Sequence, residues 1–341
     1  MKQPDGYKDR TGHICYLKKT LYGLKQARHK WNKEFNRQIC TKGFHQLKSD
    51  PCAYIQRKKE DLFIINIWVD DLLSFANLDE MKVHTKKDLE SMFELIDMGE
   101  PSTIVGIKIS QGKDSITISQ TKYVESILRK AGMEQANTVC TPLDPKLPIK
   151  PNLEGNEGDK RNSFTCLLSS LQYLTTATCP DITFAVNRLS TYTANPSLAH
   201  QMAVKHILRY LAGTKDLGIT YRKPQQSQSH LELLHRFSDT AYANNSNYCS
   251  TSGYVFIVGG GAVMWGSRKQ TSVALSSIKV KYVALPKLHD NLNGFKHYMK
   301  NLDLNKNTPY LYLEITEAHL QWQTIHNSIK DLSISKSDGT G

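Results

Sequence analysis

The clearest hydrophobic pattern in the chain covers residues 62–75. An apolar, β-branched run leads into two adjacent carboxylates, Asp70 and Asp71, and a second apolar run follows. This pattern predicts a strand, a tight turn and a second strand. A carboxylate buried between two strands is costly unless something compensates its charge, and a divalent metal ion such as Mg²⁺ would do so. The alternative is an ordinary polar hairpin turn.

Apolar residues at helical spacing follow a loop-like opening segment, residues 1–20. The spacing predicts a helix that Gly43 closes, a helix over 81–97, and a helix over 123–131 that Gly132 caps. Two strands are predicted between the last two helices, around 104–110 and 115–119. The apolar positions of the first helix are Leu24, Ala27, Trp31, Phe35 and Ile39.

Prolines and glycines are dense over residues 141–163, so this stretch predicts a linker without helix or strand. Residues 164–222 read as mostly helical, with Ser197 as a helix N-cap before the stripe Val204, Ile207, Leu208 and Leu211. After a polar stretch at 223–230, we expect strands over 231–237, 251–258, 262–265 and 273–275, then a helix from Ser277 that Pro286 destabilises.

The chain is basic, with a formal charge of +12 and a pI of about 9.2. This charge favours a polyanionic partner, nucleic acid first and an anionic membrane second, although a merely basic surface is the plainer reading. One face of the first helix carries part of the charge, and it is either a solvated face or a strip that meets phosphates. Its cations are Lys25, Lys30, Lys33 and Arg37.

The length and the cysteines limit the classes of protein. At 341 residues, two or three domains are expected. Seven scattered cysteines without a CxxC motif indicate a reducing compartment and neither a zinc site nor a disulfide framework. The sequence shows no membrane-spanning run and no signal-peptide core. We therefore expect an intracellular protein, in the cytoplasm, the nucleus or both, that is not secreted.

Several motifs together resemble one family. LYGLKQA at residues 21–27, Trp31, DPC at 50–52 and VDDLL at 69–73 are similar to the copia-type reverse transcriptase of LTR retrotransposons. The likeness continues at residues 180–187 and 211–214, which resemble the family's connection segment between the polymerase and the RNase H. It ends in short sequence motifs that are similar to those of the copia-type RNase H. These motifs lie within residues 250–277 and are STSGYVF, GGG, Trp265, KQ and VALSS.

The resemblance implies an α/β (α+β) fold in several parts. Residues 1–140 would form a partial reverse-transcriptase palm and thumb, and 141–163 the linker. Residues 164–222 would form the connection, and 231–328 a degenerate RNase H-like domain. Residues 330–341 read as a disordered tail.

By the same resemblance, Asp70 and Asp71 are catalytic carboxylates that hold Mg²⁺ or Mn²⁺, with Asp70 aimed at the metal. The family's remaining ligand comes from a strand upstream of Met1, so we expect it to be absent. Trp68 replaces the family's usual Tyr, and Arg28 replaces a Pro. The residues implied to bind nucleic acid are Lys25, Gln26, Lys30, Lys33 and Arg37.

The RNase H-like part departs from the family pattern at its metal site. Asp239 matches the first acid, and Glu314 is the best match to the third. The position of the second acid is Lys281, whose ammonium has no lone pair to give to a metal. We therefore predict an inactive site in which Asp239 and Lys281 form an ion pair.

Three functions remain open at this point. The resemblance implies an RNA-directed DNA polymerase with RNase H, impaired or inactive in this chain. The alternative is a non-catalytic module that binds RNA–DNA hybrids through its basic surface. The third is a polymerase fragment that takes its missing acid from another Pol fragment.

Overall fold

The computed structural model describes the backbone of twelve stretches of the chain, which divides into two compact units. One unit is Met1–Gly99 with His297–Leu304, and the other is Glu100–Lys296 with Asn305–Gly341. The compact units divide at Gly99, and the domain boundary expected at residue 140 stays a prediction. The described residues are 3, 6, 13–17, 23–58, 61–69, 71–77, 79–147, 149–152, 158–223, 234–244, 248–274 and 276–301.

The first unit is an antiparallel four-stranded sheet whose strands follow one another in chain order, together with two helices. The predicted hairpin over residues 62–75 is confirmed. The elements are α1 (Ala27–Thr41), β1 (His45–Gln46), β2 (Ala53–Lys58), β3 (Asp61–Trp68), β4 (Asp71–Ala76) and α2 (Asp79–Met92).

The sheet of the first unit buries one face of β3 against both helices. Phe63, Ile65 and Ile67 alternate along the strand, and they pack with Phe35 of α1 and Leu89 of α2. This alternation follows from the two-residue period of a strand, which directs every second side chain to the same face. The core of the unit therefore lies between β3 and the two helices.

The two helices of this unit end differently from one another. Beyond α1, Gly43 has a φ of 84°, as the predicted helix stop requires. The prediction that the second helix extends to residue 97 is wrong, because α2 ends at Met92. The Asp97 carboxylate accepts the backbone N–H of Gly99 at 2.8 Å, a local turn that competes with helix.

The second unit begins with another antiparallel sheet and one helix. The strand predicted at 115–119 is present, and Gly132 has a φ of 63° after the helix. The single strand predicted around 104–110 is instead divided into two by a turn at Val105 and Gly106, which have φ values of 49° and 74°. The fourth strand comes from about a hundred residues later in the chain. The elements are β5 (Thr103–Ile104), β6 (Ile107–Gln111), β7 (Ser115–Ser119), α3 (Thr121–Lys130) and β8 (Ile219–Arg222), in the sheet order β5-β6-β7-β8.

A helical core lies between β7 and β8 in the chain. The predicted stripe at Val204, Ile207, Leu208 and Leu211 is buried in it. The elements are α4 (Gly158–Ala177), a 3₁₀ turn (Pro180–Ile182), α5 (Thr183–Ser190) and α6 (Leu198–Thr214).

The expectation of a linker without helix over residues 141–163 is wrong at the end of that stretch, where α4 begins at Gly158. Earlier in the stretch, Ile149 is buried in the helical core, and Leu143 and Leu147 pack against it. Burial of these apolar side chains holds the segment on the helices despite its prolines.

The last sheet is three-stranded and antiparallel, with β10 at its centre and a long helix after it. The elements are β9 (Leu234–Ala241), β10 (Thr251–Val258), β11 (Gly261–Lys269) and α7 (Ser277–Asn301). The hairpin predicted around the three glycines is confirmed.

Two expectations for this part are corrected. The helix from Ser277 is confirmed, but it continues through Pro286 without a break, so one interior proline is tolerated. The strand predicted at 273–275 does not form at residues 273 and 274, the two of the three that are described. The chain instead leaves the sheet and starts α7, where Ser276 Oγ accepts the N–H of Lys279 at 3.2 Å.

The mixture of helices and antiparallel sheets confirms the predicted α+β class. Among the described residues, every helix is too short or too polar to cross a lipid bilayer.

Candidate functional site

The turn between β3 and β4 carries the two adjacent aspartates. Trp68 and Asp71 are the last paired residues of the ladder, so the turn between them has two residues, Val69 and Asp70. Asp71 is exposed at the first position of β4. The side chain and backbone of Asp70 lie outside the described residues. The structure therefore confirms the hairpin and the place of Asp71, while the role of Asp70 stays a prediction.

Val69 has an unusual backbone conformation at this turn. Its φ is 58°, in the left-handed region, which a β-branched residue rarely adopts. Two-residue hairpin turns require a positive φ and favour Asn or Gly there. A side chain with a Cβ in this region costs roughly 1–2 kcal/mol. The turn is thus held in a strained conformation beside the predicted catalytic carboxylates.

The carbonyl of Val69 is bound by Trp31, which the sequence places on the apolar face of the first helix and among the motifs of the resemblance. Trp31 of α1 donates its indole N–H to this oxygen at 2.8 Å. The helical pattern placed Trp31 on the apolar face of α1, but a pattern gives no information on where an indole nitrogen points. This contact is the feature of the turn that the sequence did not reveal.

The carboxylates at the turn have the right chemistry for a hard divalent cation, which prefers oxygen ligands. Asp71 is exposed, and no hydrogen bond or ion pair holds its carboxylate within the described part of the chain. Nowhere in that part do three His, Cys, Asp or Glu side chains come together as metal ligands would. The candidate ligand set is therefore Asp71 with its neighbour Asp70.

All five residues predicted to bind nucleic acid are exposed, and we call them the α1 basic surface. Two of them precede the helix and three lie within it at a spacing of three and four residues, which places those three on one face. The members are Lys25, Gln26, Lys30, Lys33 and Arg37.

Arg37 differs from the other members of the α1 basic surface. Its guanidinium contacts Glu34 at 2.6 Å and, through this hydrogen bond, lowers the pKa of Glu34 to about 2. Because Glu34 stays ionised, it partly neutralises Arg37. The lysines of the surface form no ion pair with any described residue, so they carry most of its available positive charge.

The predicted ion pair between Asp239 and Lys281 is wrong. Both residues are described, and neither forms a salt bridge with another described residue. The Asp239 carboxylate accepts the backbone N–H of Thr240 at 2.7 Å, and Lys281 is exposed on α7. The sheet geometry explains the separation. Ser238 lines a small cavity with Ala284 of α7, so the alternation of β9 turns Asp239 to the opposite face of the sheet.

On that opposite face, Asp239 lines an open groove of about 900 Å³. The 3₁₀ turn contributes Asp181, whose carboxylate accepts the hydroxyl of Tyr210 at 2.7 Å. The groove also contains Trp265 of β11, whose indole N–H donates to the carbonyl of Thr175 at 2.6 Å. Asp239 and the position of Lys281 thus do not share one site in this structure.

Glu314 and the predicted tail at 330–341 lie outside the described residues, as do residues 21 and 22 of the first motif. Their predicted roles stay predictions.

The comparisons with known proteins agree with the hairpin and its surroundings. Residues 1–145 match the family model described as reverse transcriptase (RNA-dependent DNA polymerase). No solved structure matches the chain significantly.

Three relatives are retrovirus-related Pol polyproteins of plant transposons. The one from transposon TNT 1-94 of Nicotiana tabacum is 31% identical over 93% of this chain and 24% of its own length. Those from transposons RE1 and RE2 of Arabidopsis thaliana are 34% and 32% identical, over 83% and 91% of this chain. The chain spans 19% and 21% of these two relatives, so it corresponds to about a fifth to a quarter of each.

The matched family region, the similarity over most of the chain and the hairpin with its adjacent aspartates all agree with the resemblance drawn from the sequence. The chain is therefore similar over most of its length to the retrovirus-related Pol polyproteins of copia-type transposons, and its residues 1–145 match the reverse-transcriptase family.

Proposed function

We propose that the chain serves the polymerase step of reverse transcription, DNA synthesis on an RNA template. The observation that carries this proposal is the place of Asp70 and Asp71. They stand directly after β3, in the two-residue turn and at the start of β4, within the region that matches the reverse-transcriptase family. An intact ladder on both sides of the turn supports their presentation at one edge of the sheet.

In this proposal each part of the turn has a role. Asp70 is the carboxylate aimed at the metal, as the resemblance to the copia-type reverse transcriptases implies for the first of the two aspartates. Asp71 adds negative charge beside it. Mg²⁺, or Mn²⁺ in its place, supplies when bound the positive charge that phosphoryl transfer requires. The α1 basic surface holds the phosphates of the RNA–DNA hybrid.

Primer extension tests the proposal. A DNA primer on an RNA template is incubated with the chain, deoxynucleotides and Mg²⁺ or Mn²⁺. Extension that falls by about 100-fold or more in Asp70→Asn supports the assignment. Asp79→Asn is the matched control, because Asp79 is an exposed carboxylate of the same unit at the start of α2. Equal extension by Asp70→Asn and the parent chain would contradict the proposal.

A second candidate function is binding of RNA–DNA hybrid without catalysis. The exposed lysines of the α1 basic surface favour it. The separation of Asp239 from Lys281 also favours it, because it argues against RNA cleavage at the last sheet. Hybrid binding in EDTA, with no extension under any metal, would support this candidate. Absent or salt-insensitive binding would remove it.

Complementation separates a third candidate, in which another Pol fragment supplies a carboxylate to this site. Extension that appears only after an upstream Pol fragment is added, and that still requires Asp70, would support it.

Either polymerase candidate implies that the working chain lies inside the cell, in the cytoplasm or the nucleus.

A further inference from the structure

The strained residue of the β3–β4 turn is bound from a distant part of the chain. Trp31 and Val69 are 38 positions apart, and the indole N–H of one donates to the carbonyl oxygen of the other at 2.8 Å. Val69 is the first residue of the turn, and the next residue is Asp70. The hydrogen bond therefore acts on the peptide unit that joins Val69 to Asp70.

Backbone strain of this kind persists only where the surroundings impose it. Val69 has a φ of 58° although its side chain is β-branched. A relaxed sequence would place Asn or Gly there. The ladder fixes Trp68 and Asp71 on either side, but it makes no bond to the Val69 carbonyl. Trp31 provides the contact that the ladder does not.

Trp31 is itself held firmly enough to act as an anchor. Its ring lies edge-on to Phe93, with centroids 5.5 Å apart and planes at 71°. It also contacts Phe35 of α1, with centroids 6.0 Å apart. Phe35 is fully buried and stacks on Phe93 at 5.2 Å. An aromatic cluster rooted in the core thus fixes the direction of the indole N–H.

Packing alone does not account for Trp31. The residue is 37% exposed, so it lies at the margin of the core rather than within it. A smaller apolar residue at this position would have no hydrogen-bond donor for the carbonyl of Val69.

We propose that Trp31 is a positioning residue for the catalytic turn: its indole N–H holds the backbone of Val69 in the strained conformation from which the chain continues into Asp70. This inference rests on the proposed polymerase function, since it gives that function's carboxylate its support. Trp31 touches no substrate in this account and acts only through the backbone of Val69.

The test compares three variants of the full chain by two readouts at the turn and by their urea unfolding midpoints. Trp31→Phe removes the N–H, and Trp31→Phe with Val69→Gly also relieves the strain, because Gly adopts a positive φ freely. Trp68→Phe is the matched control, since Trp68 borders the same turn and is 59% exposed. The readouts are the ¹⁵N order parameter of the Asp71 amide and the affinity for Mn²⁺, followed by paramagnetic broadening of amides near the turn.

We expect Trp31→Phe to lower the Asp71 order parameter and to weaken Mn²⁺ binding about tenfold, with the urea midpoint nearly unchanged. The added Val69→Gly change should recover most of the affinity, and Trp68→Phe should leave the order parameter unchanged. A merely structural role would instead shift the urea midpoint and would not be rescued at position 69.

Two outcomes would overturn the proposal in different ways. Unchanged turn order and Mn²⁺ affinity in Trp31→Phe, with Asp70-dependent Mn²⁺ binding in the parent chain, would remove the positioning role alone. If Mn²⁺ binding by the parent chain is absent, or is the same in Asp70→Asn, the proposed function fails. The positioning role fails with it, because no metal site is then left to position.

Discussion

The backbone N–H of Ser197 donates to Nδ1 of His200 at 2.8 Å at the start of α6. The Ser197 hydroxyl lies 3.0 Å from the same nitrogen. This is a capping box in which histidine takes the place usually held by Glu or Gln. The His200 side chain is fully buried, and it stacks on Tyr192 with ring centroids 4.2 Å apart. The cap therefore depends on a neutral imidazole.

This cap predicts that acid destabilises the second unit. Burial lowers the pKa of His200 below its ordinary value of 6.5. The unfolded chain then binds the proton more readily than the folded chain. The stabilising contribution is fully present above pH 6.5 and is lost as the pH falls from there through the lower pKa of the folded state. Urea unfolding at pH 7.5 and at a pH about one unit below 6.5 measures the loss.

His200→Gln is the control for this prediction. Glutamine keeps an acceptor for the N–H of Ser197 but does not titrate. Its urea midpoint should change less between the two pH values than that of the parent chain. An equal change in both proteins would show that other groups cause the acid sensitivity.

Gly261 is expected to tolerate no side chain. A Cβ at this position would lie 2.5 Å from Cδ1 of Tyr221, which is held by a 2.8 Å hydrogen bond from its hydroxyl to the carbonyl of Ala262. Gly261→Ala should therefore lower the free energy of unfolding by about 1–3 kcal/mol. Gly294→Ala in α7 is the comparison, since a Cβ there meets nothing within 4 Å.

The two glycine substitutions should act in opposite directions. Alanine in place of a helical glycine with open space around it stabilises by roughly 0.5–1 kcal/mol. Thermal melting of both variants gives the comparison. Similar melting temperatures for Gly261→Ala and Gly294→Ala would contradict the close contact with Tyr221.

The sequence predicted those features that depend on local pattern. The apolar runs on either side of Asp70 and Asp71 predicted the hairpin, and Gly43 predicted the end of α1, because the rules of strands and helix ends act over a few residues. The contacts of Trp31, His200 and Gly261 depend on where side chains meet, and no local pattern holds that information. The ion pair expected between Asp239 and Lys281 failed for the same reason, since it required knowing which face of β9 meets α7.

The two compact units predict that core substitutions act locally. Phe35 is fully buried in the first unit, and Phe35→Ala should cost about 3–5 kcal/mol there. Leu171 is its counterpart in the helical core of the second unit. Hydrogen exchange followed by mass spectrometry should show faster exchange in β3 for Phe35→Ala, and in α6 for Leu171→Ala. Faster exchange of both elements in either variant would mean that the units unfold together.

The α1 basic surface predicts how hybrid binding depends on salt. Each phosphate contact that is lost reduces the slope of log K against log salt by about 0.7–0.9. The double variant Lys30→Gln and Lys33→Gln should therefore reduce the magnitude of this slope for an RNA–DNA hybrid by roughly 1.5, so that binding depends less steeply on salt. Arg37→Gln should change it less, because Glu34 already contacts the guanidinium at 2.6 Å.

A control with the same loss of charge separates contact from net charge. Lys82 and Lys86 of α2 are exposed lysines of the same unit, and they pair with Asp79 and Asp97 at 2.8 and 2.7 Å. Replacing both by Gln removes two positive charges, as the α1 double variant does. If phosphates contact the α1 basic surface, the α2 double variant should keep the parent slope. Equal slopes for the two double variants would mean that overall charge alone governs binding and that the α1 basic surface makes no particular contact with the phosphates.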